Sequence, residues 1–160
     1  MTTQQLKELQ EIIHQCMQDT TIRFAGIDLL QEETALSDNV CTVHTTLEGG
    51  CNATLVLCAD TALLIRLARI IMCSDEATEQ DVQDVAIEYF NVVCGRIAAG
   101  LYQSTRISSR FTPPRFRTGA YVPETPQSGS CVLGYSSGSN ENAQLMFLGL
   151  LTPEDQACRA

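Results

Sequence analysis

The chain has 160 residues, 44% of them hydrophobic and 18% charged, the proportions of an ordinary globular protein; that length suits one domain, set at residues 1–152, with a short tail at 153–160. Its formal net charge is −9 and Lys7 is its sole lysine, which excludes nucleic acid and anionic membrane as partners of the surface as a whole. No run approaches the ~20 apolar residues that span a bilayer, and the opening Met1–Gln5 has no apolar signal core, so a cytoplasmic protein without membrane contact is expected.

Leu6, Leu9, Ile12, Ile13 and Met17 recur at helical spacing and predict an N-terminal helix ending near Asp19. Three strands are predicted next. The first lies around Ile22–Leu30. The second is Val40–Leu47, where Val40, Thr42, His44 and Thr46 alternate with Cys41, Val43, Thr45 and Leu47. The third is Ala53–Cys58, and Glu48-Gly49-Gly50 supplies the hairpin turn between the second and third. Asp60 is placed to cap a helix over Thr61–Cys73. Thr78, with Asp81 three residues on, opens a long helix by a capping-box pattern and carries it to about Tyr102. An irregular stretch from Ser104 to Ser130 holds Pro113, Pro114, Pro123 and Pro126, with short strands at Ile107–Phe111 and Arg117–Val122. Two firmer strands, Cys131–Tyr135 and Gln144–Leu151, flank the turn-rich Ser136–Asn140. A helix followed by three strands is therefore expected twice, in a two-layer α/β (α+β) fold with helices on an antiparallel-rich sheet.

Eight cysteines are scattered through apolar runs with no C-x-x-C pair, and His14 and His44 stand far from any tight cysteine cluster. Reduced core cysteines are expected, and no metal site. Both histidines read as ordinary members of a helix and a strand. No glycine-rich segment has the phosphate-loop pattern, so a nucleotide site is not expected.

The long helix carries the one constellation with chemical content. At 100° per residue Val82, Ala86, Tyr89, Phe90, Val93 and Ile97 form its core face, and Asp81, Asp84, Glu88, Asn91 and Gly95 the opposite face. A solvated face needs no explanation by itself. Asn91, however, is a poor mid-helix residue, and Gly95 costs roughly 1 kcal/mol against alanine there; a glycine on an exposed stripe also leaves room for another backbone. Asp84-x3-Glu88-x2-Asn91, with Gly95 four residues on and Pro113 after a further twenty-one residues from Asn91, resembles the signature of the CheC/CheX/FliY phosphatases of bacterial chemotaxis.

That resemblance implies a CheC-like fold and an enzyme that hydrolyses the aspartyl phosphate of a CheY-like receiver domain. Asn91 would orient the attacking water and Glu88 would pair with the receiver's lysine. Asp84 and Gly95 would take part in partner docking, and Pro113 would shape the loop leading out of the helix. The chain would bind no cofactor, since the receiver brings its own Mg2+. The first helix offers only Glu11-Ile12-Ile13-His14, with histidine in the asparagine position and no glycine at the right distance. One intact motif resembles CheX rather than two-site CheC, and implies a homodimer. The alternative is a non-catalytic module of the flagellar-switch type that binds the phosphorylated receiver without hydrolysing it. Arg96, Arg106, Arg110, Arg115 and Arg117 form a positive cluster; a nucleic-acid patch is disfavoured by the lack of lysines and interleaved aromatics, which leaves internal ion pairs or docking of an acidic partner.

Overall fold

A computed structural model describes residues 3–33, 35–50, 52–122 and 131–151. The elements in chain order are α1 (Thr3–Ala25), β1 (Leu30–Gln31), β2 (Val40–Gly49), β3 (Asn52–Asp60), α2 (Thr61–Met72), α3 (Glu79–Thr105), β4 (Ser109–Phe111), β5 (Arg115–Thr118), β6 (Cys131–Ser136) and β7 (Asn142–Leu151). The expected tail at 153–160, Pro123 and Pro126 lie outside the described residues.

All seven strands join one sheet in the order β1-β6-β7-β3-β2-β4, with β5 also on β2, and every pairing is antiparallel. β4 and β5 are one edge strand interrupted at Thr112-Pro113-Pro114, because proline has no N–H to give a ladder. Counted so, each half is a long helix and three strands. The halves exchange edges: β1 of the first lies on β6 of the second, and β4/β5 of the second lie on β2 of the first. The central seam is β3 on β7.

Strand alternation sends Cys41, Val43, Leu47, Leu55, Leu57, Ala59, Leu133, Tyr135, Leu145 and Phe147 to one face. There they meet Leu9, Ile13 and Met17 of α1, Leu63, Leu64 and Leu67 of α2, and the core face of α3, as a single buried cluster. The opposite face holds a smaller cluster of Val56, Cys58 and Leu148, with Leu36, Tyr121 and Met146 beside it. Cys41, Cys58, Cys94 and Cys131 are buried, Cys16 is half-buried, and the free thiol of Cys73 is exposed. Cys73 sits past the end of α2 in the left-handed conformation, and its N–H closes on the carbonyls of Arg69 and Ile70.

Three local expectations are corrected. The first strand does not begin at Ile22, because α1 continues to Ala25. Thr20 and Thr21 are buried, and the Thr21 hydroxyl lies 2.6 Å from the Met17 carbonyl oxygen and within hydrogen-bond distance of the Tyr89 hydroxyl. Those contacts override the strand preference of a Thr-Thr-Ile run. Gly26, at φ 65°, then ends the helix. Asp60 occupies the N-cap position of α2 without a side-chain cap. Its carboxylate accepts instead from the backbone N–H of Ser37 (2.9 Å) and of Asn142 (2.8 Å), tying two loops together. The second short strand after α3 runs over Arg115–Thr118 rather than Arg117–Val122.

Candidate functional site

α3 starts with the capping box that its sequence spells. The Thr78 hydroxyl accepts from the Asp81 N–H at 3.1 Å, and the Asp81 carboxylate accepts from the Thr78 N–H at 2.9 Å. Val82, Val85, Ala86, Tyr89, Phe90, Val93, Cys94, Ile97 and Leu101 are buried, so the helix cannot roll, and its outer face is fixed by that packing. α1 clamps its flank. Arg96 Nη1 donates to Thr20 Oγ1 at 3.1 Å, Tyr89 bonds Thr21, and the ring of Phe24 meets that of Tyr89 edge-on at 6.1 Å.

Asp84, Glu88, Asn91 and Gly95 are all exposed along the outer face, and Val92, 36% exposed, lies among them. Gln80 Nε2 donates to Asp84 Oδ1 at 2.8 Å, so Asp84 already has a partner within its own helix. Among the described residues neither Glu88 nor Asn91 has a side-chain hydrogen bond or ion pair. A Cβ placed on Gly95 would meet nothing within 4 Å. Among the described residues the glycine therefore accommodates no other element, and it leaves a dent between the side chains of the ridge.

The ridge offers a carboxylate and a primary amide, with no nucleophile next to them. Tyr89 faces the core, where burial pushes its phenol up to about 12 against an opposing hydrogen bond from Thr21. Burial likewise raises the Cys94 thiol well above its ordinary range. Both stay protonated at neutral pH. Among the described residues no group of three or more His, Cys, Asp and Glu side chains is arranged to hold a metal ion. Glu88 and Asn91 can bind, orient and exchange hydrogen bonds with something brought to them.

Pro113 is not in the loop that leaves α3. That loop is Arg106–Ser108, and Arg106 ends the helix in the left-handed conformation. Pro113 and Pro114 lie one strand later, between β4 and β5, at the sheet edge. The residue that sequence reasoning passed over is Gly100, where a Cβ would come within 2.7 Å of Ile12 Cγ2. There α1 packs into the space that a side chain on α3 would fill, and its signal was a second glycine one turn and a residue beyond Gly95.

The sequence profile of the family described as Chemotaxis phosphatase CheX matches residues 41–135, more than half of the chain and all of the α3 stripe. The chain belongs to the CheX family. Its fold is that of solved CheX proteins. The chemotaxis protein CheX from Vibrio vulnificus superposes with a TM-score of 0.75 at 14% identity, covering 88% of this chain and 95% of that one. CheX from Desulfovibrio desulfuricans gives 0.72 at 15%, covering 88% and 99%. A CheX–CheY–BeF3–Mg2+ complex from Borrelia burgdorferi gives 0.69 at 13%, covering 89% and 95%. No curated protein sequence matches the chain significantly. Among the described residues no helix is long and apolar enough to cross a membrane.

Proposed function

We propose that this CheX-family chain accelerates hydrolysis of the aspartyl phosphate on a CheY-like receiver, with α3 as the inserting element. The observation that carries the reading is the Glu88/Asn91 pair, exposed and without partners among the described residues, on a helix clamped by the core. The Borrelia burgdorferi relative crystallised with CheY supports a receiver as the partner.

Hydrolysis of an acyl phosphate passes through a loose transition state, so catalysis is chiefly positioning and charge stabilisation. Asn91 suits that demand. Its amide supplies an acceptor and a donor, and it holds a water in line with the phosphorus without taking its proton. Glu88, one turn earlier, forms a charge-assisted contact with the receiver's lysine and sets the register of the complex. Gly95 lets the receiver backbone approach the helix, and Asp84 adds a docking charge. The metal, Mg2+, belongs to the receiver, and this chain binds no cofactor. A homodimer is the working assembly that the CheX resemblance implies, checked by sedimentation equilibrium.

The test is the decay of phosphorylated CheY-like receiver with the protein added. Acceleration that survives Asn91→Ala would remove Asn91 from the mechanism. Glu88→Ala is expected to weaken both binding and turnover. Phosphorylation-dependent binding with no faster decay would favour the flagellar-switch type of module instead.

A further inference from the structure

The five arginines in and after α3 divide into two sets. Arg96 is spent inside the helical layer on Thr20, and Arg106 lies over the ring of Tyr102, 5.7 Å from its centroid. Arg110, Arg115 and Arg117 belong to the sheet edge. Their cross-strand partners on β2 are Glu48, His44 and Thr42, whereas Cys41, Val43 and Leu47 of that strand point under the helices. By the alternation of side chains, all three arginines stand on the sheet face away from the helices.

That edge is positively charged within a chain of net charge −9. Arg117 packs over Tyr121, 5.4 Å from its centroid, and the His44 ring lies 5.8 Å from the same tyrosine. Burial, then Arg117 and Arg115, depress the pKa of His44, an independent sign of the positive field there. Among the described residues, ion pairing is confined to Arg66 and Glu141 at 2.6 Å, and no carboxylate reaches Arg110, Arg115 or Arg117. Among the described residues internal ion pairing is therefore not made by these three, although Glu48 stands opposite Arg110.

The register adds an apolar track. Arg115, His44, Val56, Met146 and Val132 are consecutive cross-strand partners, so one row runs from the basic edge across the sheet. Val56 is fully buried in the small cluster of this face, Met146 is half-buried at its margin, and Val132 is 55% exposed, so the accessible apolar part of the row is Met146 and Val132. At the basic end, His44, Thr46, Pro113, Pro114 and Arg115 line a notch of about 450 Å³.

We propose that this outer sheet face is a docking surface for an acidic polypeptide segment that also carries apolar side chains. Its carboxylates would lie over Arg110, Arg115 and Arg117, and its apolar residues along half-buried Met146 and exposed Val132. Charge complementarity selects the occupant: three arginines in no ion pair among the described residues, beside apolar surface, match such a segment. A nucleic acid suits it less, because three arginines must then hold a polyanion against the field of the acidic remainder. The face is opposite α3, so the segment and a receiver can be bound together.

The experiment is fluorescence anisotropy of a fluorescein-labelled peptide of Glu-Glu-Leu repeats titrated with the full chain. Saturable binding that weakens as salt rises is expected, with affinity reduced roughly tenfold in R115Q/R117Q. The charge-matched control R23Q/R69Q, exposed on the helical layer, should bind the peptide as the unaltered chain does. R115Q/R117Q should also dephosphorylate the receiver normally, which separates this surface from the proposed catalytic ridge. Absence of saturable binding, equal affinity in R115Q/R117Q, or tighter binding of a single-stranded oligonucleotide of equal charge would each overturn the proposal. So would loss of receiver dephosphorylation in R115Q/R117Q, which would make this face part of the receiver's own site.

Discussion

Helices α1 and α3 hold equivalent places in the two halves of the sheet, each leading into three strands and each packing on the same face. On α3, Glu88 and Asn91 project into solvent with no internal partner among the described residues. On α1, Glu11 and His14 keep the same three-residue spacing, but His14 is half-buried. Its Nδ1 shares a 3.2 Å hydrogen bond with the Tyr135 hydroxyl, and the two rings stack with centroids 5.8 Å apart. The glycines divide in the same way. Gly95 opens the ridge to solvent, whereas Gly100 closes the gap to Ile12. Equal spacing on equivalent helices thus leaves both side chains of one pair in solvent and turns His14 of the other toward the sheet, and the rotation of each helix decides which.

The largest test of that contrast is Asn91→Ala set against His14→Ala. The first should lower the acceleration of receiver dephosphorylation about a hundredfold and leave stability within ~0.5 kcal/mol, since the side chain is exposed. The second should leave the decay rate unchanged and cost about 1 kcal/mol in urea unfolding, through the lost bond to Tyr135. Next comes the glycine pair. Gly100→Ala is expected to destabilise by about 1–3 kcal/mol, because its Cβ would press on Ile12 Cγ2. Gly95→Ala meets open space and should stabilise by about 1 kcal/mol from helix propensity, yet slow dephosphorylation by filling the dent. Unchanged activity in Gly95→Ala would detach the glycine from docking.

A smaller effect is expected at Tyr89, which joins the two helices. Tyr89→Phe keeps the ring but loses the bond to Thr21, for about 1 kcal/mol. Its pH signature is specific. The phenol is raised from about 10 in the unfolded chain to about 12 in the folded one. The stabilisation from keeping it neutral is whole below pH 10 and lost as pH rises through 12. Alkaline melting curves of Tyr89→Phe should therefore fall less steeply over that window than those of the unaltered chain. The smallest effect belongs to His44, whose pKa is lowered on folding. Its stabilising contribution is present above about 6.5 and fades as pH falls through the folded value, so His44→Gln should slightly flatten the acid limb of the same curves.

The α3 ridge was legible in the sequence because everything that makes it is local. The Thr78/Asp81 box starts the helix, the apolar period orients it, and the positions of Asp84, Glu88, Asn91 and Gly95 follow from 3.6 residues per turn. The β2–β3 hairpin was legible from its local Glu48-Gly49-Gly50 turn, although it is Ser108 and Ile107, distant along the chain, that leave no room for a Cβ on either glycine. The ends of α1 and the place of β1 were not, because Thr20 and Thr21 take helical geometry from partners on α3 that are distant along the chain. Nor was the position of Pro113, which depends on where the edge strand breaks.

By itself, then, the sequence determined a two-layer fold of repeated helix-and-strand halves, one capped helix with Glu88 and Asn91 on its outer face, and a resemblance to the CheX family. Only the tertiary structure decided that the halves exchange their edge strands, that His14 turns inward while Asn91 stays out, and that Arg110, Arg115 and Arg117 share one face without carboxylate partners among the described residues. The first set rests on periods of a few residues within a single element. The second rests on which elements meet, and that is set by how one buried core is filled from both halves at once.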